Sequence, residues 1–122
     1  MGAIIWLEEH PRITRLSTVI YLCIIFVASS MSRLPQPGGG YDFSVLAHFM
    51  EYAVLGLLIA VSLGVRKDRI ILVILLSSLY GVSDELHQFF VPGRVASIHD
   101  VATDFLGSAA GALSALFLRR RL

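Results

Sequence analysis

The sequence has little charge, a single cysteine and none of the common signatures of soluble enzymes. Only 16% of its 122 residues are charged, against about 25% in an average soluble domain. Cys23 lies in an apolar run and cannot form an internal disulfide, which excludes a disulfide-stapled scaffold. HExxH, GxSxG, P-loop and CxxC patterns are absent from the sequence. The net charge of +1 is uninformative about nucleic acid, but no basic patch with interleaved aromatics appears, so no nucleic-acid partner is predicted.

Apolar residues make up 56% of the chain and concentrate in four long runs. A helix needs about 20 such residues to cross a hydrocarbon core of about 30 Å. We therefore predict an all-α, polytopic membrane protein with a single domain, residues 1–122. Its four transmembrane helices are expected at about 13–31, 43–63, 69–90 and 97–118. The third run reaches this length only if the helix continues beyond Val82 through an acidic segment.

Turn and cap signals set the boundaries of these helices. Arg33–Gly40, rich in proline and glycine, predicts a helix stop and a turn, and Pro92-Gly93 predicts another. Ser97 with Asp100 three residues later resembles a capping box at the start of the fourth helix. Residues 1–12 are expected to lie at the membrane interface with Trp6 at headgroup depth. An alternative assigns the N-terminal run to a signal peptide.

Basic residues favour one side of this bundle and so predict its orientation. Eight of the ten fall on one side of a four-helix topology: Arg12, Arg15, Arg66, Lys67, Arg69, Arg119, Arg120 and Arg121. Only Arg33 and Arg94 fall on the other side. By the positive-inside rule, both termini are expected to be cytoplasmic.

The same topology brings the polar residues together on the extracytoplasmic side, as a pocket facing away from the cytoplasm. Ionisable groups in a membrane span are costly and usually functional. We predict five catalytic candidates: His48, Glu51, Asp84, Glu85 and Asp100. Four further residues are predicted to bind substrate: Tyr52, Gln88, Arg94 and Asp104.

Each group also has a structural interpretation. His48 and Glu51, three residues apart on one helix face, could form a metal or acid/base pair, or a hydrogen bond that packs helices. Asp84 and Glu85 repel each other when ionised, so one is expected to be protonated, paired with Arg94 or holding a cation. Arg94 could clamp a phosphate or carboxylate, or close the loop by an ion pair. A divalent metal is a possible cofactor, but the spacing is not diagnostic.

Small residues continue the face of Asp100 and Asp104 along the fourth helix. Gly107 and Gly111 form a Gly-x-x-x-Gly pattern, which is typical of close helix contact in membranes. This pattern predicts that both aspartates face the interior of the bundle. His87 and His99 are expected to be interfacial side chains instead of ligands.

Four segments resemble the VanZ-like family of small membrane proteins. They are Ser29-Ser30, Leu46–Gly56 with an HFxEY motif, Tyr80–Arg94 with SDExxQxFxPGR, and Ser97–Gly111. The resemblance implies a four-helix integral membrane protein and a link to teicoplanin-type glycopeptide resistance. It also points to the nine residues named above. Asp104 is a departure, because the family pattern usually has Asn there.

Three functions are compatible with this pattern. The first is an enzyme-like or ligand-binding protein in the cell membrane, whose pocket takes an anionic lipid or cell-wall precursor headgroup. The second is a non-catalytic protein whose polar cluster holds the bundle together while its helix faces modulate a partner. The third, a transporter or flippase, would need an oligomer, since four helices form a thin bundle.

Overall fold

The computed structural model describes residues 2–31 and 41–121. In this part of the chain every regular element is helical, and no strand occurs. The elements are α1 (Ala3–Glu9), α2 (Pro11–Ser30), α3 (Tyr41–Ser62), a 3-10 turn (Lys67–Arg69), α4 (Ile70–Phe89) and α5 (Ile98–Arg121). The four long helices are each long and apolar enough to cross a membrane. These features confirm the predicted all-α, four-span membrane fold.

Helix boundaries differ from the predicted ones for local reasons. Helix α2 begins at Pro11. Proline suits the first helical turn, because the N–H that it lacks would have no partner within the helix there. Helix α5 continues to Arg121, since basic side chains in the last turn interact favourably with the helix dipole. The predicted turn over residues 33–40 lies outside the described residues.

Helices α3 and α5 form the closest pair in the bundle. Gly107 and Gly111 of α5 lie against the backbone of Phe49 and Ala53 in α3. Gly56 of α3 lies against the backbone of Ser108 in turn. A Cβ atom at any of these three glycines would overlap a backbone carbonyl. The Gly-x-x-x-Gly face is therefore the surface on which the two backbones touch.

The N-terminal leader forms a short helix that docks on one end of the bundle. Ile4 of α1 is buried in a cluster with residues of α3, α4 and α5. Glu8 accepts a hydrogen bond from the backbone N–H of Val65 at 2.8 Å and forms an ion pair with Arg119 at 2.7 Å. Helix α1, the α3–α4 connection and the end of α5 thus meet at one end, which we call the basic end.

Polarity is distributed as expected for a chain surrounded by lipid. Large apolar side chains point outward along the long helices, with Ile71 of α4 72% exposed. The interior holds polar groups beside its apolar clusters, among them His48, Asp84, Glu85 and Asp104. Most of these buried groups lie within about two turns of the end opposite the basic end, which we call the polar end.

Candidate functional site

His48 of α3 lies between two aspartates of α5. Its Nδ1 is 2.9 Å from Asp104 Oδ1, and its Nε2 is 3.8 Å from Asp100 Oδ2. The short contact fixes the ring. Because an ionised carboxylate can only accept, Nδ1–H donates to Asp104, and Nε2 faces Asp100. Asp100 and Asp104 are one helical turn apart, so both reach the same histidine.

Asp104 lies at the junction of three helices and is 0% exposed. A Cβ atom on Gly81 of α4 would lie 3.1 Å from Asp104 Oδ2 and 3.2 Å from Tyr52 Cε1. Glycine at position 81 therefore makes room for the carboxylate. Within the described residues, Asp104 Oδ2 has no hydrogen-bond partner. One carboxylate oxygen thus orients His48 while the other is buried without compensation.

Glu85 connects α4 to the start of α5. The side chain is 5% exposed, and Oε2 accepts the backbone N–H of Ser97 at 2.9 Å. Ser97 acts as the N-cap, since its hydroxyl accepts the N–H of His99 at 3.2 Å. In a complete capping box the N–H of Ser97 would go to Asp100. Because Glu85 takes that N–H, Asp100 is left to face His48.

Asp84, the neighbour of Glu85, points in a different direction. Its Oδ2 accepts weak hydrogen bonds from Tyr52 at 3.4 Å and Gln88 at 3.3 Å. Successive residues of an α-helix differ by about 100° around its axis. The two adjacent carboxylates are thereby directed to different partners, which reduces their mutual repulsion.

Arg94, in the connection between α4 and α5, reaches the end of α2. Its Nε donates to the carbonyl of Met31 at 2.9 Å, and a terminal nitrogen donates to Ala28 at 2.5 Å. Carbonyls at a helix C-terminus lack intrahelical partners and favour a cation. These contacts are neither the phosphate or carboxylate clamp nor the ion pair that were predicted for Arg94. They hold its positive charge at a fixed place on the polar end.

A cavity of about 350 Å³ opens at the polar end between α3 and the α4–α5 connection. Its wall contains Arg94, His48 and Asp100 together with small and apolar residues. The lining residues are Ser44, Val45, His48, Gln88, Gly93, Arg94, Val95, Ala96, Ser97 and Asp100. Four of the nine predicted site residues, His48, Gln88, Arg94 and Asp100, thus face one cavity.

Other predicted residues lie around this cavity or away from it. Glu51 is half-buried, and its backbone carbonyl accepts the hydroxyl of Tyr21 in α2 at 2.8 Å. His87 contacts Ser30 Oγ at 2.8 Å and stacks on Phe26, so it joins α4 to α2. Gly81 was not among the predicted site residues, although a glycine three residues before Asp84 within a span is a signal of close approach.

Comparison with known families agrees with the motifs. The family model described as VanZ/LLP1 matches residues 10–119. The chain belongs to the VanZ/LLP1 family. This confirms the resemblance noted in the sequence, and the match covers α2, α3 and α4 in full and α5 of this VanZ/LLP1 protein as far as residue 119. No curated protein and no solved structure matches the chain.

The geometry gives this VanZ/LLP1 protein two chemical capacities. A histidine held at Nδ1 by a buried carboxylate can accept or donate a proton at Nε2, which is the arrangement of a general acid/base. The same nitrogen can also ligate a metal, because a carboxylate on the other ring nitrogen is the usual support of such ligands. Ligand-capable atoms of His48, Glu85 and Asp100 all lie within 4.8 Å of one another.

Proposed function

We propose that this VanZ/LLP1 membrane protein binds the phosphate-bearing headgroup of an envelope lipid or cell-wall precursor in the cavity at its polar end. The observation that carries the proposal is the cavity itself, which combines Arg94 and His48 with a volume of about 350 Å³. Arg94 supplies a positive charge at the rim. His48, oriented by Asp104, supplies Nε2 as a second group that can contact the phosphate, either directly or through a bound cation.

Orientation supports an extracytoplasmic site. The basic end carries the arginines of the C-terminus and of the α3–α4 connection, and Glu8 joins these two segments. Such clusters favour the cytoplasmic face of a membrane. The cavity lies at the other end of the same helices, and we therefore propose that it opens toward the outer leaflet.

A lipid titration tests the binding function. Short-chain phosphatidylglycerol is added to the purified protein in nonionic detergent, and binding is followed by calorimetry. We expect saturable binding that Arg94→Gln weakens about ten-fold or more, since charged hydrogen bonds contribute about 1.5–3 kcal/mol. Short-chain phosphatidylcholine tests whether net negative charge is needed, and glycerol phosphate tests whether the headgroup alone suffices.

The matched control for this titration is Arg120→Gln, because Arg120 is an exposed arginine at the basic end. Anionic lipids can bind any basic cluster through charge alone. Equal weakening by Arg94→Gln and Arg120→Gln would show such unspecific binding and contradict the proposal. Thermal unfolding of both variants shows whether the α2 contacts of Arg94 were needed for folding.

The family resemblance extends the proposal to glycopeptide resistance. We propose that the protein lowers susceptibility to teicoplanin by acting on a headgroup at the membrane surface. Minimal inhibitory concentrations are compared in a susceptible host that expresses the wild type, Glu85→Ala or Arg94→Ala at equal levels. Resistance should be lost in both variants, whereas resistance retained in both would end this part of the proposal.

A second candidate is a structural, non-catalytic role for the polar cluster. It is favoured by contacts that each join two helices: His48 to Asp104, Tyr52 to Asp84, and Arg94 to Ala28. If this is the whole role, substitutions in the cluster lower the unfolding temperature and the amount of folded protein together. Loss of lipid binding at unchanged stability would favour the first candidate.

A further inference from the structure

The cluster around His48, of which His48 and Asp100 line the cavity, has more negative than positive groups. Asp100, Asp104 and Glu85 surround the single imidazole of His48. With all three carboxylates ionised, their charge of −3 exceeds the +2 that protonated His48 and the nearby Arg94 can supply. Burying a carboxylate without a counter-charge is expensive. A phosphate would add further negative charge to this site.

A buried oxygen in the cluster also lacks a partner. Glu85 is 5% exposed, and the N–H of Ser97 occupies its Oε2. Its Oε1 is buried and has no hydrogen-bond partner among the residues that the structure describes. Buried polar atoms are nearly always satisfied by protein, water or an ion. Glu85 Oε1 is therefore an oxygen at which a cation or a water can bind.

Distances in the cluster are close to those of a metal site. Ligands at about 2.1 Å from an octahedral ion lie about 3 Å apart when adjacent and about 4.2 Å apart when opposite. The separation of His48 Nε2 from Asp100 Oδ2 is 3.8 Å, between these two values, and the ligand atoms of His48, Glu85 and Asp100 lie within 4.8 Å of one another. Nε2 is also the nitrogen that the Asp104 contact leaves available. A small inward movement of Glu85 and Asp100 would complete three ligands around one ion.

We infer that His48, Glu85 and Asp100 bind a divalent cation, with Asp104 as the outer carboxylate that orients His48. One imidazole and two carboxylates suit Mn²⁺ or Zn²⁺, because imidazole favours the later transition metals and carboxylates favour harder ions. The inference deepens the proposed function and rests on it in one respect: the cation would bridge the acidic wall of the cavity to the phosphate of the bound headgroup.

The metal alone provides the first test. Mn²⁺ is titrated into the full-length protein in nonionic detergent, and the free ion is counted by its electron paramagnetic resonance signal. We expect one saturable site per chain that Zn²⁺ competes for. Loss of an outer-shell carboxylate typically weakens metal binding about 10–100-fold. Asp104→Asn should fall in this range, and Glu85→Gln and Asp100→Asn should weaken binding at least as much.

Controls separate ligand loss from misfolding. Asp68→Asn removes an exposed carboxylate of the α3–α4 connection that pairs with Arg66, and it should leave Mn²⁺ binding unchanged. Asp100 is 18% exposed, so Asp100→Asn is expected to fold even if Glu85→Gln does not. A wild-type protein that takes up neither Mn²⁺ nor Zn²⁺ overturns the inference. Equal affinity in the wild type and Asp100→Asn overturns it as well.

Lipid titrations with and without the cation distinguish this inference from the proposed function. With Mn²⁺ present, Asp100→Asn should weaken phosphatidylglycerol binding, because the bridging ion is lost. In EDTA the same variant should bind more tightly than the wild type, because one repulsive charge is gone. Lipid binding that is identical in EDTA and Mn²⁺ overturns the metal inference and leaves the proposed function standing. A one-to-one Mn²⁺ site in a protein that binds no phosphatidylglycerol overturns the proposed function and leaves the metal inference standing.

Discussion

At the scale of single residues, Asp104 decides how His48 is presented. One oxygen receives the imidazole N–H at 2.9 Å, and the other lies against Gly81 without a partner among the described residues. Asparagine is the uncharged equivalent of this side chain. An amide oxygen can accept the same hydrogen bond, but it brings no charge. The carboxylate here therefore adds negative charge to a site whose histidine could be oriented without it.

Asp104→Asn should accordingly keep the orientation of His48 while it removes the negative charge of the carboxylate. We expect the unfolding free energy to stay within about 1 kcal/mol of the wild type or to rise, because the hydrogen bond remains and a buried charge is removed. Asp104→Ala should lose about 1–3 kcal/mol, because it leaves a buried imidazole N–H unsatisfied. Chemical unfolding in detergent measures both. A larger loss for Asn than for Ala would contradict this account of Asp104.

The sequence predicted which polar residues lie close together better than it predicted their hydrogen-bond partners. Its motifs singled out His48 and Asp100, and the structure places Asp100 Oδ2 3.8 Å from His48 Nε2. The contacts of Arg94 with the carbonyls at the end of α2 could not be foreseen, because they depend on how α2 packs beside the α4–α5 connection. The different partners of Asp84 and Glu85 could not be predicted either, because they depend on how α4 is rotated about its axis.

At the scale of helices, contact between α3 and α5 sets the geometry of the site. Gly107 and Gly111 let the two backbones touch, which places Asp104 within hydrogen-bonding distance of His48. The Gly-x-x-x-Gly spacing made this contact predictable from the sequence. The docking of α1 was not predictable in the same way, because its seven residues bury little more than Ile4 and are held by Glu8.

Gly111→Ala tests this helix contact. The new methyl group would overlap the carbonyl of Ala53, so the helices must separate. Overpacking of this kind costs about 1–3 kcal/mol, and we expect a loss of unfolding free energy in that range. Ser114→Ala, at an exposed position of the same helix, is the matched control and should change little. Equal stability of the two variants would show that α3 and α5 are not in backbone contact.

At the scale of the whole molecule, charge is divided between two ends of an apolar bundle. The basic end gathers arginines around Glu8 and Val65, and the polar end holds the cavity. This division was predictable from the sequence because it depends only on the order of helices and loops. The depth of the cavity was not, since it depends on side chains from α3 and from the α4–α5 connection meeting in space.

Cysteine labelling tests the orientation of the molecule. In a Cys23→Ser background, Val95→Cys places a thiol at the rim of the cavity, where Val95 is 83% exposed. Arg120→Cys places one at the basic end. A membrane-impermeant maleimide applied to intact cells should label the first variant and spare the second until the cells are lysed. The opposite labelling would place the cavity on the cytoplasmic side.

The most direct test of the central claim is to locate a bound headgroup. A phosphatidylglycerol with a photoreactive group beside its phosphate is crosslinked to the protein in nanodiscs, and the adducts are mapped by mass spectrometry. We predict adducts on the cavity wall, at Val45 and in the 93–97 connection, and their loss when unlabelled short-chain phosphatidylglycerol competes. Adducts confined to the arginines at 119–121 and the 66–69 connection would contradict the account.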